Sequence, residues 1–481
     1  MLKQSALGWI FIHGTIRLVP AGHLRDDDTL RPLIILTEPG ESAKWRLRPS
    51  FFGSLFMKIA LSAVLCAIIL VGISLSVGAQ SLLIPMDSSQ KNHLKAYGLT
   101  YWALQEPRRF KADWLLNYRG GSFLIHEVDQ SAERAALMGV SCQPVGPSEI
   151  AEIYKTIEQE NMDRILLEKA PKIAVYTPPT AEPWDDAVTL ALTYAEIPYE
   201  TLWDEEVLLG RLPNYDWLHL HHEDFTGQYG KFYRTYRNAS WYLEQVKTFE
   251  ATARAAGFQS VQEHKAAVAA RVVEYVAQGG FLFAMCAAVD TLDIARAATG
   301  LDIVAPEIDG DGLSPGFQDK LDFTKALAFE NFQLLTDPNI YEFSDIDTGN
   351  APATPGSRYA AEQFALFEFS AKFDPVPTML TQDHVAQVHD FLGQTSAFRK
   401  EKIKPSVIIL GEFPGQDVAK YVHGVYGQGT FTFLAGHDPE DREHLVGEHA
   451  TDLAQYPNSP GYRLILNNIL FPAAKKKERK T

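Results

Sequence analysis

Residues 278–295, QGGFLFAMCAAVDTLDIA, leave few local structures open. Gly279 and Gly280 signal a chain reversal, and the apolar run from Phe281 to Met285 is long enough for one buried strand. Cys286 follows, then the small Ala287 and Ala288, then an amphipathic pattern carried by Val289, Leu292, Ile294 and Ala295. The spacing predicts strand, sharp turn and helix, with a sulfur at the turn. A nucleophile placed there stands clear of the sheet edge, and the first N–H groups of the helix lower a thiol pKa and can bind an oxyanion. The plainer alternative is a buried structural cysteine that packs as a small hydrophobe.

The chain around this segment alternates. KIAVYT at 172–177, residues 199–203 and DWLHLHH at 216–222 read as strands, with helices expected over 184–197 and 263–277. Such alternation implies right-handed crossovers and a parallel sheet. SVIIL at 406–410 is expected to resume that sheet. Residues 419–426 and 429–434 read as a hairpin turned by Gly427-Gln428-Gly429, and a last helix is expected to start near Ser459-Pro460. The expected fold class is therefore α/β, a mostly parallel sheet flanked by helices. The expected core is 172–301 plus 405–472. It follows an N-terminal α/β segment at 80–171. Two insertions interrupt it, a polar-aromatic one at 225–258 and an insertion or cap at 302–404, and a basic tail at 473–481 closes the chain.

Residues 57–79, MKIALSAVLCAIILVGISLSVGA, carry a basic Lys58, an apolar run and a small-residue ending. They read as a signal peptide cleaved before Gln80, with residues 1–56 a mis-called upstream extension. The alternative is an uncleaved anchor. Under either reading the flanking Lys and Arg residues place the C-terminal part outside the cytoplasm, so the protein is expected to be exported, periplasmic or secreted, with no stable membrane insertion after cleavage. The chain carries a net charge of −16, and its first 79 residues hold more basic than acidic side chains. The remainder is thus more acidic still, a poor match for nucleic acid. Cys142 and Cys286 remain in it, too few for a disulfide scaffold. One bridge between them would remove Cys286 as a nucleophile.

Ligands gather at the carboxyl ends of strands in an open parallel sheet. Three chemically rich clusters end expected strands: Cys286; the run His219-Leu220-His221-His222-Glu223-Asp224; and His437 with Asp438 and Glu440. A thiol needs a base, and the base needs a carboxylate to orient it. Cys286, His437 and either Glu440 or Asp438 supply those types. His221, Glu223, Asp224, Asp309 and Asp311 are the candidates to bind substrate. On a strand His219 and His221 share a face and His222 points the other way. The run could instead bind a metal, with Glu223 or Asp309 and Asp311 completing the set, which would make a metal-dependent hydrolase; its spacing fits no zinc motif, so no metal and no cofactor is expected. The DGDG at 309–312 lacks the later ligands of an EF-hand loop.

The elbow GGFLFAMCAAVD and the late GHDPE resemble the class I glutamine amidotransferase-like fold, which has a Cys elbow after a central strand and a late His-x-Glu. Here two residues, not one, separate His437 from Glu440. The hairpin, the GH pair and SPGYRLILNNIL also resemble trehalose-utilisation-type proteins, a branch without an obligatory Cys nucleophile. The stretches LLIPMDSSQKNHLKAYGLTYW, PWDDAVTLALTYAEIPY and DWLHLHHEDFTGQYGKF resemble a bacterial exported family labelled asparagine synthetase B. The genuine ATP-dependent enzyme has an N-terminal Cys exposed by processing, where the expected mature end here is Gln80, and its SGGxDS loop does not occur in this sequence. The resemblance implies an exported amidase or amidotransferase-like hydrolase acting on a small carboxamide. The alternative it leaves is a non-catalytic sugar- or peptide-binding module.

Overall fold

The computed structural model describes residues 11–12, 15–16, 81–179, 185–349, 363–390, 393–441 and 446–475. The expected signal segment 57–79 and its cleavage point, most of the expected upstream extension and most of the basic tail lie outside them. The chain divides into two units, Met1–Leu75 and Ser76–Thr481. In the first, β1 (Phe11–Ile12) pairs antiparallel with β2 (Thr15–Ile16).

The described residues of the second unit form two sheets. Strands β3 (Ser81–Ile84), β4 (Ala112–Leu116), β5 (Ser122–Ile125), β6 (Gln143–Val145) and β7 (Asp163–Leu167) form an antiparallel sheet in the order β6-β3-β5-β4-β7. The larger, ten-stranded sheet is mixed. Its parallel part comprises β8 (Ile173–Tyr176), β9 (Glu200–Leu202), β10 (Trp217–Leu220), β11 (Phe281–Met285) and β17 (Gly429–Leu434), in the order β17-β11-β10-β8-β9. Its other strands are β12 (Gln363–Leu366), β13 (Gln387–His389), β14 (Phe398–Arg399), β15 (Ile408–Glu412) and β16 (Val418–Tyr426), all paired antiparallel.

This corrects the expected mostly parallel, amidotransferase-like sheet with two insertions. Residues 406–410 do not resume a parallel sheet, because β15 runs antiparallel to β16. Only residues 413–417 separate the two strands, whereas a parallel return needs a crossover of a dozen or more residues. The expected cap contributes β12, β13 and β14 to the sheet itself. Residues 81–167 build a sheet of their own, in which the short turn Asn117–Gly121 between β4 and β5 permits only antiparallel pairing.

Strands β8, β10 and β11 are buried along their whole length, as expected of parallel strands covered on both faces. Alternation assigns their side chains to two cores. Ile173, Val175, Trp217, Phe281, Phe283 and Met285 pack with Ala187, Val188, Leu464 and Ile465 on one face. Ala174, Leu218, Leu220, Leu282 and Ala284 pack with Val268, Val272, Val289 and Leu292 on the other. The first core also takes in Leu82, Trp114 and Phe123, so the smaller sheet closes over the helices His93–Leu104 and Pro460–Leu470. Buried Arg463 ties these layers together, donating from Nε to Tyr97 Oη at 3.0 Å and from Nη1 to the Met86 carbonyl at 3.1 Å. The four parallel strands β8, β10, β11 and β17 thereby bring their carboxyl ends to one edge, with a loop leaving each. Among the described residues, no helix is long and apolar enough to cross a membrane.

Candidate active site

Three of those loops converge at the turn after β11. Cys286 has φ 51°, a strained value for a residue with a side chain, and the helix Ala288–Ala297 begins two residues later. The expected strand, turn and helix are all present. The turn clamps the loops on either side: Cys286 N donates to the Gly436 carbonyl at 3.1 Å, and Ala288 N donates to the His221 carbonyl at 3.1 Å. The backbone of the cysteine elbow therefore fixes the two segments that carry the histidines. Residues 393–395 brace the second. Gly436 N donates to the Thr395 carbonyl at 2.9 Å, and a Cβ added at Gly393 would lie only 2.6 Å from His437 Cβ.

The clamped loops bring three imidazoles together. The ring centroids of His221 and His437 are 4.2 Å apart, those of His221 and His222 4.7 Å, and those of His222 and His437 5.7 Å. His221 and His437 are buried and His222 is half-buried. His222 was expected to face away from His221. The β10 ladder ends at Leu220, so strand alternation no longer governs the two residues that follow.

A carboxylate backs this group. Asp186 caps the helix Ala187–Tyr194, its Oδ1 accepting from Val188 N at 2.7 Å and Thr189 N at 2.9 Å. Its Oδ2 lies 3.2 Å from His221 Nδ1 and 3.3 Å from His219 Nε2. Burial pushes the Asp186 carboxyl up, but the flanking His221 and His219 outweigh it and hold the pKa well below the usual carboxylate range. Fully buried His219 directs Nδ1 to the Phe283 carbonyl at 3.1 Å, and burial pulls its pKa down against the pull of Asp186. Neighbouring Asp185 is raised, first by burial and then by the Asp438 carboxylate. Asp186 escaped the sequence reading. Its signal was an N-cap aspartate opening a helix in the loop after a buried parallel strand, the place where ligands collect.

The other expected residues take different roles. Asp438 is buried, and its Oδ1 accepts from Glu440 N at 2.8 Å and Asp441 N at 3.2 Å, while Oδ2 accepts from Tyr462 Oη at 2.5 Å. It shapes the loop that carries His437. Asp224 organises a turn, accepting from Thr226 N at 2.7 Å and Gly230 N at 2.9 Å. Glu223 is buried, and its carbonyl accepts from Thr291 Oγ1 at 2.9 Å. Asp309 and Asp311 line a separate cavity of about 210 Å³ with Arg254, Ser260 and Gln262, away from the histidine group.

The Cys286 thiol departs from the expected low-pKa nucleophile. Burial drives it up to about 12, with the carboxyl groups of Asp290 and Asp347 adding to the rise and the N–H groups of Ala287 and Gln394 opposing it. The Ala287 N–H expected to bind an oxyanion thus faces the sulfur. Cys142 and Cys286 are both free thiols, so no bridge joins them. Among the described residues, two nitrogen-rich groups have the compactness to hold an ion: His221 with His222 and His437, and Asp186 with His219 and His221, each with donor atoms within 4.8 Å of one another.

No protein-family model and no curated protein sequence matches the chain. Among solved structures, two cytoplasmic proteins of Salmonella typhimurium align with 63% of this chain and 100% of their own, at TM-scores of 0.30 and 0.31 and identities of 9% and 12%. A β-galactosidase of Bacillus circulans sp. alkalophilus aligns over 61% of this chain and 32% of its own, at a TM-score of 0.22 and 12% identity. Likeness at this level assigns no activity.

Proposed function

We propose that the chain is an exported hydrolase of small carboxamides or esters that uses water as its nucleophile. The histidine group at the carboxyl edge of β10 and β17 is its reaction centre. The observation that carries this reading is the convergence of His221, His222 and His437, with His221 backed by the half-buried Asp186. In such a site an imidazole takes a proton as the water oxygen bonds to the carbonyl carbon. The same proton then goes to the departing nitrogen or oxygen as its bond to carbon breaks. Asp186 fixes the His221 ring and stabilises the cation formed on it, as a carboxylate does for a catalytic histidine.

A thiol nucleophile is the weaker account. With Cys286 pushed up to about 12, about one thiol in 10⁵ is ionised near pH ~7, and the groups that shift it further are acidic rather than basic. Cys286 serves the site through its backbone. The test is a panel of simple amides and esters assayed with wild type, His221→Ala and Cys286→Ser. Loss of His221 is expected to lower kcat/KM by about 10²–10⁴-fold, the range for a general acid–base group, with Cys286→Ser retaining turnover. Full activity in His221→Ala together with none in a folded Cys286→Ser would reverse the assignment.

A further inference from the structure

We propose that His221, His222 and His437 together bind one divalent transition-metal ion of the zinc class. The proposal rests on the hydrolase reading and concerns the same site, and it changes the part His221 would play: with an ion bound, His221 would be held as a ligand, and water in the open position rather than a His221 lone pair would supply the nucleophile. Its basis is donor geometry. One ligand nitrogen from each of the three residues falls within 4.8 Å of the others, although the residues come from two different loops. A tetrahedral zinc ion with bonds of about 2.0–2.1 Å sets its ligand nitrogens about 3.4 Å apart, inside the 4.8 Å that spans these donors.

The orientation of His221 is the second, independent observation. Its Nδ1 lies 3.2 Å from Asp186 Oδ2 and its Nε2 is buried, and neither nitrogen has a hydrogen-bond partner of good geometry among the described residues. A carboxylate on one ring nitrogen fixes the tautomer that leaves a lone pair on the other, the arrangement found behind metal-ligating histidines. Asp186 is itself held by two helix N–H groups, so this outer support is rigid. The donor type then selects the ion: imidazole nitrogen suits zinc, copper, nickel or iron, whereas calcium and magnesium take oxygen ligands. Three protein donors leave a fourth position for water, as in catalytic zinc sites.

Tag-free protein, stripped with a chelator and shown by circular dichroism to remain folded, is titrated with Zn²⁺ against a chromophoric chelator. Co²⁺ is added separately to read coordination from its visible spectrum. The expected result is one equivalent of Zn²⁺ per chain and the intense visible bands of four-coordinate Co²⁺. His437→Ala and the half-buried His222→Ala are expected to weaken binding by more than the about 10–100-fold that losing an outer partner costs, and Asp186→Asn by about that amount. Folded wild type that takes up no ion, or variants that bind as well as wild type, would overturn the proposal. The hydrolase reading is judged apart. Metal bound without hydrolysis sinks that reading and leaves this one standing, whereas hydrolysis by folded protein that takes up no ion does the reverse.

Discussion

His423 shows how burial alone sets the behaviour of a single side chain. It is fully buried in β16, its Nδ1 is 2.8 Å from Thr432 Oγ1, and burial pulls its pKa from 6.5 to about 3. The folded value lies below the unfolded one, so the neutral ring's contribution is complete above about pH 6.5 and is lost as pH falls toward 3. The expected slope is about 1.4 kcal/mol of stability per pH unit across that window. Urea unfolding at pH 7.5 and 4.5 measures it, and His423→Gln should flatten the difference; an unchanged difference in the variant would reject His423 as its source. Burial also explains Cys286. The sequence showed a sulfur at a strained turn but not the depth of that turn. Depth turns a would-be thiolate into a neutral thiol flanked by the acids Asp290 and Asp347.

Secondary-structure elements were largely legible because their signals are local. KIAVYT, DWLHLHH and FLFAM contain β8, β10 and β11, and the Gly-Gln-Gly hairpin is β16 and β17. Ser260 and Ser459 cap the helices they precede, their hydroxyls accepting from Glu263 N and Tyr462 N. How elements approach one another was not legible. Gly98 sits in the helix His93–Leu104 where a Cβ would come 1.8 Å from the Ala195 carbonyl oxygen. That helix therefore touches the end of Ala187–Tyr194, the helix that Asp186 caps. Gly98→Ala favours the isolated helix but forces the two apart. A net destabilisation of about 1–3 kcal/mol, the usual cost of overpacking, is expected from denaturant unfolding, and an unchanged or raised midpoint would refute the close contact.

At the scale of the whole molecule, export is a prediction from residues 57–79. Mass spectrometry of protein recovered from its own cells should find an N-terminus near Gln80; an abundant form that keeps residues 1–56 would overturn it. The sequence by itself determined the strands and helices of the expected core, though not the helix Ser240–Ala255 or the strands β12, β13 and β14, and it showed which chemically active side chains stand at strand ends, because periodicity, caps and turn residues act over a few positions. Those signals placed His221, His437 and Cys286 at the carboxyl edge. Only the tertiary structure decided that β15 runs antiparallel, that residues 81–167 close into a sheet of their own, and that Asp186, His221, His222 and His437 meet while Asp309 and Asp311 line another cavity. Strand order and direction depend on the length of each connection and on which faces the whole chain can bury. Local windows contain neither quantity, and the neighbours of a histidine follow from both.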